Sequence, residues 1–402
     1  MKILGINISH HASSCLLVDN EIKFLLEDER VNRIKGYCPG QEDIDLFVDK
    51  KYEIHFAEEL FKHTTHLDYI IFSSYGRNVR IPEVGDFDDL IIENYIRSMK
   101  SKGITWDEIV FEKENHHIYH ACSGFYGSGF DEAVALVIDG GGSVYENEED
   151  VVDLLGPNTT NWFRELETIF KVDYKSGVQP LWKHYGWTEN CTPDVQSDDI
   201  FCEKYGDNIV SHTMGNGGLF NLAAVDLGWT DGDDSGKIMG LSSYYSEKDY
   251  YFYDLYPEDD PRWWRQIEWF EEMNGVWITT KELFDNLGRD DKYPFERTSF
   301  ELKDFKVKAD IANKLQEETL KHTKRLITKA VEISGCKNVV LSGGYALNCL
   351  NNYQYLDIDP EINLYVDPVC YDAGTALGAA KWLYYKLTKS TEKNPLTSLY
   401  LS

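Results

Sequence analysis

Apolar residues alternate along Ile3–Ile8, recur over Cys15–Val18 and return over Ile22–Leu26, with Asp19-Asn20 between the last two runs. Alternation is the period of a strand, and Asp-Asn is turn chemistry, so the pattern predicts an N-terminal three-stranded meander. A polar stretch, Glu27–Lys35, follows it. Leu67–Phe72 and Ala133–Ile138 are short unbroken apolar runs, as expected of strands buried on both faces. Within 85–101, Leu90, Ile91, Tyr95, Ile96 and Met99 fall on one helical face. From about residue 308 the two periods take turns: helix over Ala309–Ser334, strand over Val339–Leu341, a helix starting in Ala346–Asn351, strand over Ile362–Val366, helix over Thr375–Tyr385. Between 145 and 305 neither period persists. That span is rich in Tyr, Trp, Asp and Glu, holds the acidic turn Glu258-Asp259-Asp260-Pro261, and reads as loops and insertions. Alternating strands and helices make this an α/β chain. No repeat of identical residues and no low-complexity tract is present.

Three apolar strands run into small, glycine-bearing turns: Val137-Ile138-Asp139-Gly140-Gly141-Gly142, Val340-Leu341-Ser342-Gly343-Gly344, and Val366-Asp367-Pro368 with Asp372-Ala373-Gly374. A helix follows the last two. Glycine lets a ligand approach the backbone, and free N–H groups at a helix start attract anions. Together the turns point to a nucleotide- or phosphate-binding protein.

Composition narrows the partners. The chain has 402 residues, with 40 Lys+Arg against 69 Asp+Glu, a net charge of −29. So acidic a surface argues against broad, non-specific binding to nucleic acid or anionic membrane, though not against a small basic pocket. With 42% apolar residues a large core can be buried. No apolar run is long enough to cross a bilayer, and the first residues turn polar too soon for a secretory leader. The eight cysteines form no C-x-x-C pair and read as free thiols of a reducing compartment, the cytoplasm of a cell or of a phage-infected host.

The candidate chemistry centres on Asn115-His116-His117-Ile118-Tyr119-His120. His116 and His120 are four residues apart and share one face of a helix, which Asn115 is suited to cap. Such a pair is either a metal-binding face or two buried, hydrogen-bonded histidines. His117 follows His116 where the H-E-x-x-H metalloprotease helix requires Glu, so that class is excluded. Asp139 closes a buried strand, where a carboxylate needs a partner or a metal. Asp372 is placed similarly, and capping the helix ahead of Gly374-Thr375 is its ordinary local role. Two His and two Asp would suit Fe, Zn or Mn better than Ca. His10 sits at the end of the first strand, either as a general base or as an ordinary turn histidine. Lys237 lies in Ser235-Gly236-Lys237, which is not a P-loop, and either neutralises a phosphate or is solvated. Arg262-Trp263-Trp264-Arg265 with Trp269 interleaves basic and aromatic residues, as base-stacking patches and amphipathic helices both do.

In order along the chain these motifs resemble the NodU/CmcH-type O-carbamoyltransferases, relatives of the threonylcarbamoyl-transferring proteins in the actin/hexokinase-like (ASKHA) superfamily. The matching stretches are ILGINISHHASSCLLVDNEI, EDERVNRIKG, NHHIYHACSGFYGSGFDEAVALVIDGGGS, SGKIMGLSSYY, KLQEETLKHTKRL, VVLSGGYALNCLNNYQYL and LYVDPVCYDAGTALGAAKWL. The resemblance implies a two-lobed ASKHA fold with mixed sheets flanked by helices. Residues 1–402 would form one catalytic unit: a first lobe over 1–144, a divergent insertion over 145–305, and second-lobe motifs over 306–402. It implies a divalent metal, iron foremost, on His116, His120, Asp139 and Asp372. A nucleotide would contact Gly141, Gly343, Gly344 and Asn348, with Lys237 nearby, and His10 would serve as base. The family makes carbamoyladenylate from carbamoyl phosphate and ATP and moves the carbamoyl group to a hydroxyl.

Two substitutions stand against the family pattern: His11 in place of a common Asp, and Ser235 in place of a Glu. Family members also carry a C-terminal YrdC-like domain that forms the adenylate. This sequence is expected to lack it, so that the adenylate would form on a separate YrdC-like chain or the mechanism would differ; a homodimer is a further expectation. The acceptor would be a hydroxymethylated pyrimidine such as 5-hydroxymethylcytosine in phage-type DNA, or a hydroxyl of a sugar or natural product. Threonylcarbamoyl transfer to tRNA and an inactive nucleotide-binding scaffold are the competing readings.

Overall fold

The structure, a computed structural model, describes residues 1–40, 44–76, 80–81, 85–146, 162–187, 209–211, 215–229, 234–245, 270–273, 276–279 and 305–398. The acidic turn 258–261, the Arg262–Trp269 patch, Cys191 and Cys202 lie outside these. Two mixed sheets carry the fold. The first contains β1 (Lys2–Asn7), β2 (Ser13–Val18), β3 (Glu21–Glu27), β4 (His66–Ser73) and β5 (Thr105–Phe111), in the order β3-β2-β1-β4-β5. The first three are the expected meander, antiparallel throughout; β1, β4 and β5 are parallel. The helix α1 (Phe87–Ser101) crosses between β4 and β5, capped by the Asp86 carboxylate, which accepts from the Asp88 and Asp89 amides.

The second sheet repeats that topology with different residues. It contains β6 (Glu132–Ile138), β7 (Trp162–Asp173), β8 (Gly177–Trp187), β9 (Ile209–Ser211), β10 (Asn338–Ser342) and β11 (Asn363–Val366). Its central order is β8-β7-β6-β10-β11, again antiparallel from β6 to β8 and parallel from β6 to β11. Two sheets of one topology, flanked by helices, make the two-lobed α/β class that was expected. The strand β6 pairs in the second sheet although it falls inside 1–144. The region read as loops supplies β7 and β8, the longest of the described strands, because buried Glu165 and Glu167 interrupt the apolar alternation that would have marked β7.

Two helices join the sheets. The helix α2 (His116–Ser128) follows β5 but packs Ala121, Cys122 and Phe125 on Ala135, Val137 and Val340 of the second sheet. After α3 (Gly215–Asp226) and the long α4 (Phe305–Ser334) comes α5 (Ala373–Thr388). It follows β11 but packs Ala376, Leu377, Ala380 and Leu383 on Ile3, Leu17 and Ile71 of the first sheet. The two helices meet where a Cβ on Gly378 would lie 1.8 Å from the Tyr119 carbonyl oxygen, so only glycine allows this approach. The six described cysteines are free, five of them buried. Among the described residues no helix is long and apolar enough to cross a membrane.

Candidate functional site

The repeated topology brings the turn after β1 opposite the turn after β6, with the starts of α2 and α5 between them. Four side chains converge there. His116 and His120 come from the first turns of α2, Asp139 from the end of β6, and Asp372 from the residue before α5. One ligand atom of each lies within 4.8 Å of every other. The two Nε2 atoms are 3.2 Å apart. His116 Nε2 is 3.5 Å from Asp139 and 3.6 Å from Asp372, and His120 Nε2 is 3.5 Å from Asp372. Two nitrogens each bound at about 2.1 Å to one ion would be roughly 3.0–3.4 Å apart. Both imidazoles are wholly buried.

Electrostatics fit a cation here. Burial disfavours a charged His116, but the Asp372 and Asp139 carboxylates outweigh it and lift its pKa from 6.5 to about 10. Burial and mutual repulsion push Asp139 up, yet His116 and His120 hold its carboxyl well below the usual range; the same histidines overcome burial at Asp372. Two buried, ionised carboxylates demand positive charge nearby. Two imidazoles and two carboxylates form the mixed N/O set that Fe, Zn or Mn accepts. Two local roles read from sequence give way. Asp372 occupies the cap position of α5 without capping it, because its carboxylate faces the histidines and Ser9, whose hydroxyl donates at 3.2 Å. Asn115 precedes α2 but donates to Glu112 rather than accepting from the helix.

Above the cluster opens a cavity of about 890 Å³, within the range of small-molecule sites. Gly141 and Gly344 line it, and the Gly344 amide donates to Asp139 at 2.9 Å. Gly343 stands behind them, against the Ile138 carbonyl. Asn348 lines the cavity too, but its amide is committed to Gln316 and to the cap of the short helix Cys349–Gln354. Lys237 pairs with Asp234 at 2.8 Å and is half exposed, while its neighbours Ser235, Gly236 and Met239 form the wall. His10 lines the cavity as well; its backbone carbonyl accepts from Asn7, and its ring meets His11 edge-on at 4.5 Å.

Beneath the Gly140–Ser143 turn lies a buried layer that sequence reading missed. Glu165 pairs with Lys183 and accepts from the Ser143 amide, and His117 meets Thr168 at 2.8 Å. Burial outweighs Glu165 and Asp139 and pushes the His117 pKa down to about 4, so this third histidine is neutral. Glu167 pairs with His184 and accepts from the Asn216 amide at the start of α3. Arg164, one residue before Glu165, reaches over Gly141 into the cavity. No local signal marks Arg164, Glu165 and Glu167, because they lie on a strand whose apolar period their own polarity breaks.

Comparison with known proteins identifies the family. The family profile described as the carbamoyltransferase N-terminus matches residues 86–381. An uncharacterized protein of Synechocystis is 25% identical over 96% of this chain and 57% of its own length. The nodulation protein NolNO of Sinorhizobium fredii is 23% identical over 97% of this chain and 48% of its own. Among solved structures, T. kodakarensis HypF aligns at 15% identity with a TM-score of 0.49, over 96% of this chain and 48% of its own. The chain spans about half the length of the curated relatives it matches. With the profile covering most of the chain, including α2, Asp139 and Asp372, the protein belongs to the carbamoyltransferase family, in the region that forms the N-terminus of its members.

Proposed function

We propose that this chain transfers a carbamoyl group from carbamoyladenylate, made from carbamoyl phosphate and ATP, to the hydroxyl of an acceptor at the mouth of the cleft. The observation that carries the reading is the buried His116–His120–Asp139–Asp372 cluster at the floor of a cavity walled by glycine turns. These four residues would hold a divalent ion, which supplies Lewis-acid stabilisation of negative charge on carbonyl or phosphate oxygen. The Gly141 amide, which reaches the Asp139 carboxylate only at 3.5 Å, would turn to donate to the departing phosphate. His10, which lines the same cavity, would take the acceptor proton. The acceptor oxygen forms a bond to the carbamoyl carbon, the bond from that carbon to the adenylate phosphate oxygen breaks, and AMP leaves with the electron pair. The acceptor class is open to a sugar, a natural-product hydroxyl or a hydroxymethylated pyrimidine.

The test supplies carbamoyladenylate directly, with metal-loaded protein and a panel of sugars, aminocyclitols, hydroxymethylated nucleosides and hydroxymethylated DNA. Mass spectrometry should find one acceptor class carrying a single added carbamoyl group. His120→Ala should lose both bound metal and transfer. A variant that keeps full activity without metal would sink the site, and a metal-loaded wild type that carbamoylates nothing on the panel would overturn the reading.

A further inference from the structure

Among the described residues of the cleft one cation stands apart. Lys35 and Lys237 both pair with Asp234, and Lys183 pairs with Glu165. Arg164 lines the same cavity as Asp139 and Asp372, yet among the described residues no carboxylate pairs with it, and its Nε is buried without a hydrogen-bond partner. Its position is built. A Cβ on Gly141 would lie 2.1 Å from the Arg164 Cδ and 2.9 Å from Nε and Nη1, so the side chain crosses directly over that glycine. The guanidinium carbon stands 5.8 Å from the centre of the Tyr75 ring. Tyr75 in turn meets His116 edge-on, with ring centres 6.3 Å apart. The backbone is pinned from both sides, with Arg164 opposite Gly186 on β8 and opposite Val144 on the short strand Val144–Glu146.

Arg164 is partly buried, and a guanidinium nitrogen drawn from water without a partner loses more hydration than a ring face returns. Its planar fork of donors matches a phosphate or carboxylate oxygen pair. The carboxylates nearby are already engaged: Asp139 and Asp372 face the histidines, and Glu165 faces Lys183. What is left for Arg164 is an anion that arrives from solvent.

We propose that Arg164 is the anion-binding residue of this cleft, holding a phosphoryl group of the bound ligand, with Tyr75 fixing the guanidinium plane and Gly141 leaving it room to cross. The proposal rests on the reading that the cavity takes a phosphorylated donor, and assigns the charge recognition to Arg164 rather than to Lys237. The phosphoryl group belongs either to a nucleotide or to a small phosphate compound, and the two sources separate by titration.

Isothermal titration of the metal-loaded full chain with AMP, adenosine, inorganic phosphate and carbamoyl phosphate tests it. Arg164→Ala should weaken AMP about 10- to 100-fold, as expected for loss of a charge-assisted bidentate contact, and leave adenosine unchanged. Arg164→Lys should recover part of the loss, and Lys237→Ala should cost AMP little. If AMP weakens and the small phosphates do not bind, the anion is the nucleotide's; if they too lose affinity in Arg164→Ala, a small phosphate occupies the position. Should Arg164→Ala fail to fold, Gly141→Ala displaces the intact arginine and should give the same pattern. Equal AMP affinity in wild type and Arg164→Ala overturns the proposal. So does an equal loss of AMP and adenosine, or a wild type that binds neither AMP, inorganic phosphate nor carbamoyl phosphate. A wild type whose AMP binding depends on Arg164 but which transfers no carbamoyl group leaves this inference standing while the proposed function fails.

Discussion

At the scale of single residues the buried cluster and the histidine proposed as base lie apart. His116, His120, Asp139 and Asp372 are buried against one another, and Gly344 ties Asp139 to the opposite turn. His10 stands outside that cluster, where its backbone carbonyl accepts from Asn7. His11 beside it is one of six described non-glycine residues with positive φ, at 52°, so the two rings are splayed at the turn. Removal of His10 should therefore leave metal and AMP binding intact and slow transfer by about 10²–10⁴-fold, the usual range for a lost general base. Metal analysis, AMP titration and single-turnover kinetics on His10→Ala check this together. Unchanged turnover would remove His10 from the mechanism. Reduced metal content would make it part of the cluster instead.

At the scale of elements, the site depends on how closely α2 and α5 approach. His116 and His120 stand on one helix and Asp372 precedes the other, so their separation sets the geometry of the cluster. Gly378→Ala forces a methyl group into the Tyr119 carbonyl. The helices must part, at a cost of roughly 1–3 kcal/mol in stability. Metal affinity should fall with it, because two ligands move away from the third. Thermal unfolding with and without metal measures both effects, and an unchanged melting temperature would show that the contact is looser than described. The same elements show what was legible in the sequence. The meander, α1, the pairing of His116 with His120, and Asp139 at a strand end all announce themselves through local spacing. The placement of Asp372 does not, because a residue ahead of a helix is read by its neighbours as a cap. Its true partners lie more than two hundred residues away in the chain. The strands β7 and β8 were read as loops for a related reason. Glu165 and Glu167 are buried to satisfy backbone amides, His184 and Lys183, so polarity along β7 reports the interior network and not the solvent face. Arg164, whose partner is a ligand, leaves no imprint on local sequence at all.

At the scale of the whole molecule, acid should be the weak side. His322 is fully buried, and burial, with His184 and Arg325 adding to it against Glu167, pushes its pKa down to about 4. A histidine depressed in the folded state takes its proton preferentially when unfolded. Its contribution is fully present above about pH 6.5 and is lost progressively as pH falls towards 4. The unfolding free energy should thus decline over that window by up to about 1.4 kcal/mol per pH unit for this residue, and similarly for His117. Urea unfolding of wild type and His322→Gln from pH 7 to pH 4 checks the sign, since the variant should show a shallower slope. An equal slope in both would mean that His322 is solvated. The net charge of −29 takes on a different weight at this scale. It sets the solvent-facing surface, while the cleft keeps a cation of its own in Arg164.

The crossing of α5 onto the first sheet has a consequence for how the chain is made. Ile3, Leu17 and Ile71 emerge early from the ribosome, but the helix that covers them, with Ala376 and Leu383, is among the last described elements to be synthesised. Throughout translation of the second sheet one face of the first stays bare, an apolar surface waiting for its lid. Long-range closure of this kind folds slowly and exposes sticky intermediates. Nascent chains arrested before residue 373 should therefore be captured by chaperones and remain protease-sensitive, and release should come as a single late step when α5 docks and delivers Asp372 to the histidines.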